Sequence, residues 1–115
     1  MQGPPLPMPA PSISTRARAH LRSLAHALRP VVQVGAEGLT EAITKATDVA
    51  LTEHELVKVK LGPGFVGDRK QAARELADAA QADLTQVIGR VIVLYRPRPA
   101  DHPKNKERPR ISLPS

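Results

Sequence analysis

The alternation of apolar and polar positions divides the chain into seven elements. Ser14 to Arg29 reads as a helix: Ser14 can cap it, and Ala17, Leu21, Leu24, Ala25 and Leu28 recur at helical spacing as one apolar stripe. Arg18, Arg22, His26 and Arg29 share another face and form a basic ridge. Pro30 stops this helix, and a short apolar strand, Val31 to Val34, follows. The strand runs into a tight loop, Gly35-Ala36-Glu37-Gly38. A second helix opens at Leu39-Thr40 and reaches Glu53, with Leu39, Ile43, Ala46, Val49 and Ala50 inward. Leu56 to Leu61, LVKVKL, alternates strictly, which predicts a half-buried strand with Lys58 and Lys60 facing out on the side of Leu56. Asp68 to Gln81 is the third helix. Asp68 and Gln71 are spaced as a capping box, and Ala72, Leu76, Ala79 and Ala80 face inward. Leu84 to Ile88 and Val91 to Tyr95 are strands joined by Gly89-Arg90, a two-residue hairpin with Arg90 at its exposed tip. The order α-β-α-β-α-β-β predicts an α/β fold with a mixed four-stranded sheet and packed helices.

Proline marks the limits of the domain. Ten of the twelve prolines fall before residue 14 or after residue 96, where a fixed φ and a missing N–H favour extended or disordered chain over packing. The expected organisation is therefore a disordered proline-rich tail over residues 1 to 13, a folded domain over 14 to 96, and a basic proline-rich tail over 97 to 115. Within the last, Ile111-Ser112-Leu113-Pro114 is apolar enough to dock back. The formal net charge is +6. Residues 1 to 30 carry Arg16, Arg18, Arg22 and Arg29 and no acid. Residues 96 to 115 carry Arg96, Arg98, Lys104, Lys106, Arg108 and Arg110 against Asp101 and Glu107. Positive charge at both ends suits a polyanion partner through counterion release, and it also suits a merely solvated surface. There is no cysteine, which excludes disulfides, thiolate metal sites and cysteine nucleophiles. No apolar run reaches the roughly 18 residues of a spanning helix, and no signal-peptide pattern opens the chain, so the cytoplasm is the expected location, with no membrane partner. A monomer is the default state.

Candidate chemistry narrows the field further. Gly62 to Gly67, GPGFVG, matches the GxGxxG dinucleotide pattern between a strand and a helix. The preceding strand alternates with lysines, however, whereas a dinucleotide fold needs a strand buried on both faces, and the chain is too short for two mononucleotide halves. A nucleotide-binding enzyme is thus disfavoured. His20, His26, His54 and His102 show no metal-ligand spacing, and His54, between Glu53 and Glu55, reads as a helix-terminal histidine. No set of nucleophile, base and oxyanion donors emerges, so no enzyme activity, metal or cofactor is expected. Phe65 and Tyr95 are the only aromatics. A base-stacking sheet needs several, so any nucleic-acid binding should run through backbone and charge. The GAEG loop fits such a role, because glycines leave no side chain to hold a ligand away and a helix start favours an anion. The same tetrapeptide also fits an ordinary turn.

In PVVQVGAEGLTEAI, ALTEHELVKVKL and QVIGRVIVLYRP, flanked by LRSLAHALRP and ISLP, the sequence resembles the CRM domain (chloroplast RNA splicing and ribosome maturation), most of all its stand-alone bacterial members. The resemblance covers about residues 14 to 114. It implies a fold similar to the C-terminal domain of a bacterial translation initiation factor. It implies RNA as partner, namely ribosomal RNA in precursors of the large subunit, and a role in ribosome assembly without catalysis. By position it implies an RNA-contacting loop of Gly35, Ala36, Glu37 and Gly38 with Thr40 at the helix start, and a neighbouring basic surface of Arg22, His26, Arg29, Lys58, Lys60, Arg90 and Arg96. Glu37 departs from the basic or neutral residues usual in that loop, and a carboxylate repels a phosphate track. The alternative is a protein-docking module that associates with ribosomes through partner proteins, using the proline-rich tail or the LVKVKL strand as an edge.

Overall fold

The computed structural model describes residues 13–114. Helix α1 (Thr15–Ala25) starts at Ser14, whose hydroxyl accepts from the Ala17 N–H at 3.1 Å. It ends at Ala25, four residues short of the expected Arg29. Pro30 pushes the residue before it out of helical conformation. Lys58 then takes up the terminal carbonyls, donating to His26 O at 3.5 Å and Leu28 O at 3.0 Å. Strand β1 (Pro30–Val34) leads into the GAEG turn, closed by Gly38 N–H donating to Gly35 O at 3.0 Å. Helix α2 (Glu41–His54) is capped by Thr40, whose hydroxyl accepts from the Ile43 N–H at 3.2 Å. Strand β2 (Leu56–Leu61), helix α3 (Arg69–Ala80) and the hairpin of β3 (Asp83–Ile88) and β4 (Val91–Tyr95) complete the domain. Asp68 caps α3 by accepting from the Gln71 N–H at 3.0 Å. The Gln71 amide turns to Glu75 at 3.1 Å, so only half of the expected capping box forms.

The sheet order is β1-β2-β4-β3, with β1 parallel to β2 and the other pairs antiparallel. LVKVKL is therefore an interior strand, paired on both sides, and offers no edge for docking. The edges are β1 and β3. The alternation of β2 assigns its two faces. Val57, Val59 and Leu61 join Val32, Val34, Ile92 and Leu94 beneath α2 and α3, meeting Leu51, Ala73, Leu76, Ala77 and Ala80. On the opposite face Leu56, Val93 and Tyr95 pack with Leu21 and Ala25 of α1, joined by Ile13, Ile111 and Leu113. Helix α1 covers only one end of this second face. At the other end Gln33, Lys60 and Ile88 are exposed and Lys58, Gln86 and Val91 half-buried.

The helical stripes deviate from the expected ones where hydrophobicity alone is ambiguous. In α1, Ala17, Leu21 and Ala25 are buried, while Leu24 and Leu28 stay partly exposed. In α2, Val49 and Ala46 face solvent. Thr47 is fully buried instead, its hydroxyl satisfied by Ile43 O at 2.8 Å, so a polar residue holds a core position. In α3, Ala79 is exposed and Ala73 and Ala77 are buried, because a helix so rich in alanine has no single apolar face.

The expectation that residues 97 to 115 stay unpacked fails over the described part. A 3-10 turn, Pro103–Lys106, folds this segment across the end of α2. Arg98 is buried and donates to Thr52 O and Glu53 O, both at 3.0 Å, to Asn105 Oδ1 at 2.9 Å and to Arg108 O at 2.6 Å. Glu55 is also buried; its carboxylate accepts from the backbone N–H groups of Arg98 and Ile111, both at 2.6 Å. It does so from a left-handed backbone (φ 63). Ile111 and Leu113 of the ISLP run pack beside α1. The tail expected over residues 1 to 13 lies outside the described residues except for Ile13, which packs in the same cluster.

Candidate nucleic-acid interface

Four of the sequence-predicted residues are brought together around the uncovered half of the sheet. Arg22 and His26 on α1, with Lys58 on β2, border a shelf floored by Val91 and Val93. Lys60 lies two residues beyond Lys58 on the same face and pairs in register with Gln33 of β1. The chain turns into the GAEG loop two residues after Gln33, so the loop sits at the end of the sheet toward which this face opens. Arg29 lies just beyond α1, at the mouth of a groove beside β1. Among the described residues, the side chains of Arg22, Arg29 and Lys60 make no hydrogen bond or ion pair and leave their charge to solvent. Arg18, the first residue of the predicted ridge, does not: it binds Asp83 at 3.0 Å and Leu84 O at 3.3 Å and fastens α1 to β3.

The loop's two glycines differ in what the fold asks of them. Gly38 has φ 75, a left-handed conformation that a side chain strains, and it closes the turn. Gly35 has no such φ, and a Cβ placed there would meet nothing within 4 Å. The fold therefore tolerates alanine at 35, and the bare backbone there is open to an approaching molecule. Ala36 and Glu37 are exposed. The loop is backed by the GPGFVG segment: a Cβ on Gly62 would lie 2.7 Å from the Gln33 amide, and Gly64 lies against Ala36. That segment serves as a brace for the GAEG loop.

Besides Lys58, which donates to the His26 and Leu28 carbonyls, two predicted contact residues are engaged internally. Arg90 does not project from the hairpin tip. Its guanidinium folds back and donates to Leu61 O at 3.0 Å, Gly62 O at 2.6 Å and Phe65 O at 3.0 Å, pinning the brace. A hairpin tip beside the carbonyls of Leu61, Gly62 and Phe65 lets one guanidinium satisfy all three through charge-assisted hydrogen bonds. Arg96 donates to Asp48 Oδ1 and Ala80 O, both at 2.7 Å, and to Asp48 O and Thr52 Oγ1, both at 3.0 Å, tying α2 to α3. It stands away from the loop. Thr40 acts as the α2 cap. Sequence reasoning missed Gln33, Gln86, Ile88 and Val91. The period of two in β1, with Val32 and Val34 inward, already places Gln33 outward.

Several groups at the C-terminal segment have shifted titrations. The Lys104 ammonium, 2.8 Å from Glu53 Oε1, holds the Glu53 carboxyl below its ordinary value, and Glu53 in turn raises Lys104. Burial raises the Tyr95 hydroxyl, with Glu55 adding to the shift. Among the described residues no cluster of three or more His, Asp or Glu side chains could hold a metal ion, and no helix is long and apolar enough to cross a membrane.

The molecule is thus a small α/β domain with helices on both faces of a mixed sheet and a cationic, partly uncovered face ending in a glycine loop. Residues 13–96 match the CRS1 / YhbY (CRM) domain, and the chain belongs to that family. A Haemophilus influenzae protein named RNA-binding protein is 37% identical over 86 residues, which span 75% of this chain and 87% of that one. The Bacillus subtilis probable RNA-binding protein YqeI is 33% identical over 102 residues, 89% of this chain and 99% of its own length. The solution structure of a Staphylococcus aureus protein superimposes with a TM-score of 0.70 at 34% identity, covering 90% of this chain and all of that one.

Proposed function

We propose that this protein binds structured RNA through the face formed by Arg22, His26 and Arg29, by Lys58 and Lys60, and by the GAEG loop. The observation that carries this reading is that Arg22, His26 and Lys58 border one shelf on the open half of the sheet, Lys60 follows on the same face, and its register partner Gln33 leads into the open Gly35 backbone. Relatives named as RNA-binding proteins support it. The arginines and Lys60 would track phosphates, and the loop N–H groups at the start of α2 would approach the backbone. Glu37 is exposed and not committed to any internal bond among the described residues, so it can turn away from a phosphate track. The RNA is ribosomal, within precursors of the large subunit, as the family resemblance implies, and the protein acts in the cytoplasm, as a monomer, by binding rather than by catalysis.

Crosslinking in cells with sequencing of the attached RNA tests this reading. Clustering at one region of large-subunit ribosomal RNA is the expected result. A diffuse spread over many RNAs would contradict the assembly role and leave a general phosphate-tracking domain. In vitro, log affinity should fall with log salt by about 0.7 to 0.9 per phosphate contacted.

A further inference from the structure

We infer that the shelf between α1 and the open half of the sheet is a binding pocket for one unpaired nucleobase, so that the protein prefers RNA with a bulged or single-stranded nucleotide over continuous duplex. The inference rests on the RNA-binding reading above and adds the kind of RNA. Its first support is size and shape. The shelf encloses about 170 Å³. That is close to the roughly 150 Å³ cavity that admits a benzene ring, and below the roughly 300 Å³ at which sites for larger ligands begin. A single planar base is of that size.

The lining is the second support. Ala25, Ile88, Val91 and Val93 offer an apolar surface. Ile88 is 59% exposed on an edge strand, a position where a polar side chain would keep the surface better hydrated and the edge better protected. Around this floor stand Arg22, His26 and Lys58, and no carboxylate lines the pocket. Arg22 has no internal partner among the described residues, so its planar guanidinium can cover a base as it covers an aromatic face. Gln86 supplies both a donor and an acceptor at the rim, the pair needed to read a base edge. An apolar floor bordered by Arg22 and Lys58 and by no carboxylate suits a flat apolar ring on an anionic backbone better than it suits an uncharged peptide.

Position is the third support. Lys60 and the GAEG loop extend the same face beyond the pocket, so phosphates on one side of the inserted nucleotide would reach them. A continuous A-form helix keeps its bases stacked and presents 2′-hydroxyls and phosphates instead. Extracting a paired base costs unstacking, and an already unpaired one avoids that cost.

The test uses one RNA hairpin in two forms, fully paired and with a single bulged 2-aminopurine, titrated against the full chain and against Ile88→Ser. The wild type should bind the bulged form about tenfold more tightly, with a change in 2-aminopurine fluorescence on binding. Ile88→Ser should bring the ratio of the two affinities to within about twofold. Because Ile88 is exposed, an unchanged melting temperature verifies the fold of the variant. Equal wild-type affinity for both forms, or an undiminished preference in Ile88→Ser, would overturn the pocket while leaving RNA binding intact. Binding of neither form would overturn both readings.

Discussion

Helix α1 and the turn after it carry Arg16, Arg18, Arg22 and Arg29; the C-terminal segment carries Arg98, Lys104, Lys106, Arg108 and Arg110. On the first, only the Arg18 side chain is bonded within the fold among the described residues. On the second, all but Lys106 are engaged. Arg98 takes the last carbonyls of α2, Lys104 pairs with Glu53, Arg108 meets His54 Nδ1 at 2.6 Å, and Arg110 lies 3.9 Å from Glu55. The cause is local. Helix α2 ends in Glu53-His54-Glu55, and its carbonyls and dipole attract cations, so the C-terminal arginines and lysines complete the fold there. No acid precedes α1 or lies on it, so its outer charges remain available. Two stretches that look alike in composition thus differ in what their charge can still bind.

The largest expected effect breaks the C-terminal side of this contrast. Glu55→Ala removes a buried acceptor of two backbone N–H groups and should cost about 3 kcal/mol, lowering the melting temperature by roughly 10 °C or more. The salt dependence of RNA binding by the folded variant should stay the same, which a salt titration below the transition would check. Charge reversal on the other side should do the opposite. Arg22→Glu with Arg29→Glu should weaken all RNAs by about tenfold or more and flatten the salt slope by about 1.4 to 1.8, at a melting temperature near wild type. Unchanged RNA affinity in this double variant would show that the proposed face is not the binding face.

Smaller effects sharpen the account of the loop and the tail. Gly38→Ala should cost about 1 kcal/mol, because φ 75 is strained for alanine. Gly35→Ala should leave stability unchanged and still weaken RNA binding. Thermal melts and a binding titration on the same two variants separate these outcomes. The Glu53–Lys104 pair predicts the mildest effect, one that depends on pH. Because the Glu53 carboxyl is lowered below its ordinary 4.5, its contribution is present above that value and is lost as pH falls through the depressed one. Lys104 is raised above 10.5, so its contribution is lost only as pH rises past that value. Lys104→Met should therefore flatten both the acid and the alkaline ends of the stability profile while changing little near neutrality.

Much of the fold was legible because its signals are local. The alternation of LVKVKL, the glycine-led hairpin at 89–90 and the caps at Ser14 and Asp68 each lie within a few residues of what they determine. Periodicity alone placed Arg22 with His26 on one helix face and Lys58 with Lys60 on one strand face, and the family resemblance implied that the two pairs share a surface. The fates of Arg90, Arg96 and Arg98 could not. Their partners lie up to 48 residues away, and nothing in the neighbouring sequence marks a carbonyl as waiting for a guanidinium. Glu55 was opaque for the same reason, since its two N–H donors lie 43 and 56 residues on. The prolines after residue 96 suggested an unpacked tail, but proline excludes regular helix and sheet without excluding a segment held by side-chain bonds.

The most direct test is to map backbone amide chemical shifts of the labelled protein during titration with a structured RNA. The account predicts that perturbations centre on Arg22, His26, Arg29, Gln33, Gly35 to Gly38, Lys60 and Ile88, with Arg98, Lys104 and Arg108 barely moved. Perturbations centred on the C-terminal segment, with α1 and the GAEG loop unmoved, would contradict it.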